Sequence, residues 1–360
     1  MLTYLIRRLM LFVPTLLGAS ILTFTIIAAS PGGLGGALVG PGSQMRPEER
    51  KAMMAYYNER YGLNRPPPVQ YLKWLNRISP VGFKAVGEGF PGSWKFGLKW
   101  SDLGESWTRH RPVADLIGEA LPITLLLECS SLPIIYLVAL LTGIAAARSR
   151  GKFADVGLGT LLVGIYSMPE IWVGVLMIGF LTNRQYLHLF PTNGLHDIRS
   201  DSMLFLPSWG PNGWDRGWLL DVIWHLALPV ICLSYGSFAY LSRLSRGALL
   251  ETLSMDYIRT ARAKGNSENV VIYRHALRNS LLPMITVTAS ILPAILAGSV
   301  IIETIFGLSG MGLLFTESAL NTDREMLMAL TLIYALLLMI CFLVADIAYV
   351  IADPRVSYVD

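Results

Sequence analysis

Hydropathy predicts an all-α integral membrane protein with six transmembrane helices and a small extramembrane insertion after the first. Three observations carry that expectation. Long apolar runs recur along the 360 residues, charged residues make up only 15% of them, and the lysines and arginines cluster between the runs. Soluble domains carry about 25% charged residues, and a mean hydropathy of +0.50 also places this chain in the membrane class. An apolar run of about 20 residues crosses about 30 Å of hydrocarbon as a helix. Inside lipid a segment must pair its own backbone polar groups, so helix is the form such runs take.

The first run, Leu9 to Ala29, follows Arg7 and Arg8 and ends in Ala28-Ala29-Ser30. That outline resembles a secretion signal, but the run is long enough to span, so residues 1–30 are expected to form a retained first helix and its cytoplasmic end. Residues 31–118 form the insertion. It begins with Pro31-Gly32-Gly33, Gly35-Gly36 and Gly40-Pro41-Gly42, a turn-rich stretch. Arg46-Pro47-Glu48-Glu49 then opens a predicted helix to about Tyr61, its proline and acids suited to a first turn, and Gly62 ends it. Residues 119–360 form the transmembrane core, with predicted spans Leu121 to Ala147, Val156 to Leu181, Val222 to Leu241, Pro283 to Ile305 and Met326 to Ile351. Pro14, Pro133, Pro169, Pro229 and Pro293 fall inside runs and mark bends.

Basic residues in short loops set the orientation. Arg148, Arg150 and Lys152 stand together without an acid, and the loop 243–282 carries seven basic residues against three acids. Both are expected in the cytoplasm, which puts both termini inside and the stretches 31–118, 183–221 and 306–325 outside. The insertion is itself basic, with twelve Lys and Arg against seven acids; loops beyond about 60 residues translocate largely regardless of charge. Trp209, Trp214, Trp218 and Trp224 cluster in the second exterior stretch and its neighbouring helix, where a headgroup-level belt explains them better than a ligand cage.

The net charge of +4 does not point to nucleic acid, because the basic residues lie between apolar spans and suit lipid headgroups. Cys129, Cys232 and Cys341 are far apart within apolar runs, so neither a disulfide framework nor a metal site is expected. His188 and His196 lack chelating neighbours at metal-ligand spacing. No catalytic Ser, His and Asp arrangement and no Gly-x-x-x-x-Gly-Lys-Ser/Thr phosphate loop is present. The chain is therefore expected to be no enzyme and to bind no cofactor.

The loop 243–282 is the most informative stretch. Met255 to Lys264 favours a short helix, Ala261 and Ala263 keep its surface smooth for a partner, and Gly265 supplies the left-handed stop. Asn266 or Ser267 is placed to cap a second helix running to about Asn279, with Pro283 in the first turn of the next span. This helix-turn-helix knob adjoins two spans and can pass displacement into them.

Tyr257-Ile258-Arg259-Thr260-Ala261-Arg262-Ala263-Lys264-Gly265, followed by His275-Ala276-Leu277-Arg278-Asn279, resembles the EAA loop of binding-protein-dependent importer permeases of the dipeptide, oligopeptide and nickel branch. The likeness extends along the chain through Tyr4-Leu5-Ile6-Arg7-Arg8, Asp102-Leu103-Gly104-Glu105-Ser106, Ser167-Met168-Pro169, Ile305-Phe306-Gly307-Leu308-Ser309-Gly310-Met311-Gly312 and Asp353-Pro354-Arg355. It departs at Thr322-Asp323-Arg324-Glu325, an exterior loop where the family usually has an Arg-Asp pair followed by an aromatic and proline, and at Phe342, where asparagine is common. The resemblance implies the type I ABC importer permease fold and the first-permease (B-type) subunit of a peptide importer in the bacterial inner membrane. Its long first loop resembles that of permeases for modified or antibiotic peptides. The implied partners are a second permease, two ABC ATPase subunits that use ATP and Mg, and a periplasmic solute-binding protein. Tyr257, Arg259, Thr260, Ala261, Arg262, Ala263, Lys264 and Gly265 then form the ATPase-coupling loop.

Acids in or near the spans are costly unless they face a bundle interior or water. Glu170, beside Pro169, is the leading candidate for the translocation pathway, where it attracts a peptide amino terminus; the alternative is an acid that braces the bend. Glu303 is either a gate contact at the outer mouth or an interfacial residue, and Asp346 is expected to pair structurally. A proton-coupled secondary transporter using Glu170 and Asp346 is the rival reading, and it predicts inverted repeats that the chain does not display.

Overall fold

The computed structural model describes residues 2–29, 48, 55, 56, 58, 62, 64–86, 93–210 and 213–352. Helix α1 (Leu2–Ala29) is followed by α2 (Pro67–Ile78) and the strands β1 (Val81–Val86) and β2 (Ser93–Leu98). Next come α3 (Val113–Arg148), α4 (Phe153–Tyr166) and α5 (Glu170–Met177), which a π-helical turn extends over Ile178–Thr182. The strands β3 (Ser208–Gly210) and β4 (Gly213–Asp215) precede α6 (Gly217–Leu253) and the short α7 (Asp256–Ala263). A helical turn at Glu268–Val270 and a π-helical stretch at Val271–Ala276 lead into α8 (Leu277–Phe306); α9 (Met311–Leu320) and α10 (Arg324–Ala352) complete the order.

Four helices are long and apolar enough to cross a membrane, over Ile6–Ala29, Val113–Arg148, Gly217–Leu253 and Arg324–Ala348, and two bent helix pairs bring the number to six if each is one span. One pair corrects the expected straight span Val156 to Leu181: α4 and α5 meet at a bend of 91°. Pro169, at φ −64° and ψ 139°, stands at the junction. It has no N–H to continue the ladder of α4, and its ring disfavours helical backbone in the residue before it. The other pair breaks at Gly307–Gly310. Two further boundaries differ from expectation. Helix α6 continues to Leu253 rather than ending near Leu241, because Ser242 to Leu253 contains no proline and only one glycine, Gly247. Pro283 lies inside α8 rather than in its first turn, since helical backbone already runs unbroken from Glu268.

Two compact units are present, one comprising Leu121–Leu313 with Leu338–Asp360, the other Leu2–Ala120 with Leu314–Leu337. In the first, α3, α6 and α8 enclose a core built on Leu127, Ile135, Leu233, Leu241 and Ile302. The Thr142 hydroxyl donates to Ser242 Oγ at 2.8 Å across α3 and α6.

The second unit joins α1, α2 and the first half of α10 around Phe24, Ile27, Trp74 and Met328. Its polar centre lies at Asp323-Arg324-Glu325, at the end of the stretch 306–325. Asp323, Arg324 and Glu325 are buried to within 1%. Asp323 Oδ2 accepts from Ser106 Oγ at 2.6 Å and from the amide and hydroxyl of Thr108 at 3.2 and 2.9 Å. Glu325 pairs with Arg77, and Arg324 donates to Gln70 Oε1 at 3.2 Å. These residues tie α10 to the insertion. Strands β1 and β2 pair antiparallel from Val81↔Leu98 to Val86↔Ser93, a hairpin that the run of glycines and lysines obscured. The expected helix Arg46 to Tyr61 lies almost wholly outside the described residues, as do the Gly-rich stretch 31–42 and Asp353-Pro354-Arg355; the Gly62 amide donates to the Asn58 carbonyl at 2.9 Å.

Candidate coupling elbow and translocation site

The elbow begins where α6 stops. Ser254 and Met255 turn the chain, α7 runs from Asp256 to Ala263, and the Gly265 amide donates to the Arg262 carbonyl at 2.9 Å. Gly265 adopts φ +81°, as the expected left-handed stop requires. Of the two capping candidates, Asn266 turns back: its side-chain amide donates to the Ala261 carbonyl at 2.9 Å, holding the end of α7. Ser267 occupies the N-cap position of the next helical turn without a side-chain bond.

The elbow has an inner and an outer face. Ile258 and Ala261 point inward, joining Ile144 and Ala147 of α3, Leu249 of α6, and Val271, Ile272 and Ala276 in one buried cluster. The small side chain of Ala261 thus serves the protein's own packing, while Ala263 stays exposed. Tyr257, Arg259, Thr260, Arg262, Lys264 and Gly265 are exposed as well. Arg259 pairs with Asp256 at 3.2 Å and Arg262 with Glu268 at 2.8 Å. Three contacts brace the elbow from outside the cluster. Asn279 Nδ2 donates to Tyr257 Oη at 2.7 Å, Arg148 hydrogen-bonds Asn269, and its guanidinium lies 5.9 Å from the Tyr273 ring centroid. The packed elbow connects α6 on one side with the helical stretch that leads into α8 on the other.

The break between α4 and α5 opens a cavity of about 510 Å³ lined by Tyr166, Pro169, Glu170, Tyr235, Ser237 and Tyr240 among others. Tyr235 Oη donates to the Met168 carbonyl at 2.6 Å and so meets a backbone group that the proline break leaves free. Tyr235 thus braces the bend. Glu170, half-buried on the first turn of α5, has no hydrogen-bond or ion-pair partner among the described residues. Its carboxylate is available to the cavity.

Glu303 has a different setting. It is fully buried. Its carboxylate accepts from Thr124 Oγ1 at 2.7 Å and from the amides of Gly312 and Leu313 at 2.6 and 3.2 Å, and Thr124 in turn accepts from the Met311 amide at 2.8 Å. The first N–H groups of α9 are thus capped by an acid from α8 and a threonine from α3. A Cβ on Gly310 would stand 2.5 Å from Glu303 Oε2, so the glycine admits the carboxylate. Glu303 does not line the cavity of Glu170.

His188 and His196 do not converge: Nδ1 of the first meets the Thr182 carbonyl and that of the second meets Ser200 Oγ. No group of three or more His, Cys, Asp or Glu among the described residues is placed to hold a metal ion. Trp218 stacks on Phe205 and Trp224 on Phe190, while Trp209 pairs with Trp214 across β3 and β4. Sequence reasoning missed Tyr235, which carries no local signal. It also passed over Ile258, whose lone large apolar side chain in a polar helix was a signal.

Residues 139–358 match the family of binding-protein-dependent transport system inner membrane components, and residues 1–128 match that family's N-terminal region. The chain belongs to this family. Its relatives include the oligopeptide transport system permease protein AppB of Bacillus subtilis, 36% identical over 360 residues, covering 99% of this chain and 100% of the relative. The di/tripeptide transport system permease protein DppB of Pseudomonas aeruginosa is 33% identical over 364 residues, with 99% of each chain covered. Among solved structures, the MetNI methionine ABC transporter in inward-facing form aligns over 66% of this chain and 96% of that one, with a TM-score of 0.50 and 16% identity, a likeness of fold. The permease is thus a multi-pass inner membrane protein with the type I importer fold. Family membership places the importer reading ahead of the proton-coupled secondary transporter.

Proposed function

We propose that this permease is the membrane subunit of an ATP-binding-cassette importer for peptides, working by alternating access. The observation that carries the coupling is the elbow: an exposed face from Tyr257 to Gly265 on a buried base, without a linker between it and α6 or α8. ATP with Mg closes two ATPase subunits held against that face, the elbow moves with them, and the attached spans reorient the pathway. A second permease completes that pathway, and a periplasmic binding protein delivers the solute. Both termini lie in the cytoplasm in this reading, on the side of the basic elbow.

The peptide assignment is supported by the names of the full-length relatives AppB and DppB and by the unpartnered Glu170 in its cavity, a carboxylate suited to an amino terminus. The test is uptake of radiolabelled trialanine by the complete complex in proteoliposomes containing ATP. Wild type is expected to accumulate trialanine only with ATP and the binding protein. Glu170→Gln is expected to lower uptake at least about fivefold without loss of assembly, since a carboxylate hydrogen bond to an ammonium contributes about 1.5–3 kcal/mol. ATP-independent uptake by this chain alone overturns the importer reading, and unchanged uptake by Glu170→Gln removes that residue from the pathway.

A further inference from the structure

Beside the N-terminal part of α6, the stretch 183–221 encloses a cavity of about 820 Å³, separate from the cavity of Glu170. Its wall combines both signs of charge with aromatic rings: Asp197, Asp215, Arg199, Arg216, Trp214 and Trp224. Two polar side chains at its base are more than nine-tenths buried, Asp221 and His225. Asp221 is engaged, its Oδ2 accepting from the Asp197 amide at 2.7 Å and its Oδ1 standing 3.6 Å from Arg216.

His225 is engaged on one side only. Its Nδ1 lies 2.8 Å from the Asp221 carbonyl oxygen, which can only accept, so Nδ1 carries the proton. In the neutral ring Nε2 is then a bare acceptor. It has no partner among the described residues, and His225 lines the cavity. An acceptor open to a cavity can be met there by a donor from a ligand. Asp197 adds a carboxylate nearby. The Arg199 amide bonded to it, with the charges of Arg199 and Arg216, holds it below the usual carboxylate range. Trp224, stacked on Phe190 at 4.4 Å, offers an apolar wall, and Arg216, half exposed, offers a cation for a carboxylate.

We propose that this cavity is a reception site for a short zwitterionic peptide on the permease itself, with the ammonium against His225 Nε2 and Asp197 and the carboxylate toward Arg216. Alternating charge with stacked rings suits such a solute better than a lipid tail or a lone metal ion. The inference rests on the peptide reading above and adds a second contact on the exterior side of it.

The test is photo-crosslinking of a radiolabelled tripeptide carrying a benzoylphenylalanine in its middle position to the complete complex without its binding protein. Label is expected on residues 197–225, competed by trialanine but not by N-acetyl-trialanine amide. His225→Leu and Arg216→Ala are each expected to cut labelling at least fivefold; Arg216 is surface-exposed, so its variant guards against a misfolded histidine variant. Co-purification of the ATPases checks assembly. Label confined to other segments, or equal labelling in wild type and both variants, overturns the site. Failure of the wild-type complex to import trialanine in the uptake assay overturns the peptide reading, a separate outcome.

Discussion

Gly265 separates what the elbow does for the fold from what it does for a partner. Its φ of +81° lies in the left-handed region, where an L side chain costs about 1–2 kcal/mol. A Cβ built there meets nothing within 4 Å, so no clash adds to that cost. Gly265→Ala and Gly265→Trp therefore carry nearly the same backbone penalty, a factor of about 5–30 in the local equilibrium, while the cluster of Ile258, Ala261 and Val271 still holds the base of the elbow. They differ only in the bulk they present outward. In the reconstituted complex, uptake and ATP hydrolysis are measured together with the ATPases retained on purification. Gly265→Ala is expected to keep most transport. Gly265→Trp is expected to retain hydrolysis and lose transport, because an indole has room in the isolated chain and none against an ATPase surface. Equal transport by the two variants would refute the reasoning, since it means that no partner packs against this glycine.

Two further variants test the buried polar groups. Glu303→Ala leaves the amides of Gly312 and Leu313 without their acceptor; at about 1–3 kcal/mol for each unmet buried group, the purified complex is expected to melt several degrees earlier, with Glu303→Gln intermediate. Arg77→Met removes the hydrogen-bonded partner of Glu325, which has no exposed side-chain surface and keeps only Arg324 at 3.8 Å; the loss is expected to approach that of a broken buried pair, about 3–5 kcal/mol, and pairing it with Glu325→Leu is expected to restore part of the melting temperature.

The spans could be read from hydropathy because a long apolar run in lipid has one solution, and Gly265 because a left-handed stop depends on local backbone alone. The residues that close the structure were hidden for a reason of distance. Thr124 and Glu303 are 179 positions apart, and Ser106 and Asp323 are 217 apart. No periodicity announces such a pair, and an acid near the end of a span looks the same whether it gates, caps or anchors. Counting spans places Asp323, Arg324 and Glu325 in the exterior stretch 306–325 but does not tell a buried side chain from an exposed one. Their burial follows from Ser106, Thr108, Arg77 and Gln70 meeting their polar atoms one by one, which only tertiary structure displays.

Helix α6 bears on both functional regions. His225 lies near its start and Leu253 leads directly into the elbow, so one helix of 37 residues joins the proposed solute cavity to the proposed ATPase contact. At 1.5 Å per residue it spans about 56 Å, more than the hydrocarbon of a bilayer. A ligand shifts a conformational equilibrium only by binding one state better than the other, and a rigid element shared by two sites is a physical route for that preference. Peptide held at His225 favours those positions of α6 that keep the cavity formed, and an ATPase held at Gly265 favours those that seat the elbow. The coupling of binding equilibria is reciprocal by linkage, so nucleotide state must alter labelling of the exterior cavity if peptide occupancy alters nucleotide affinity.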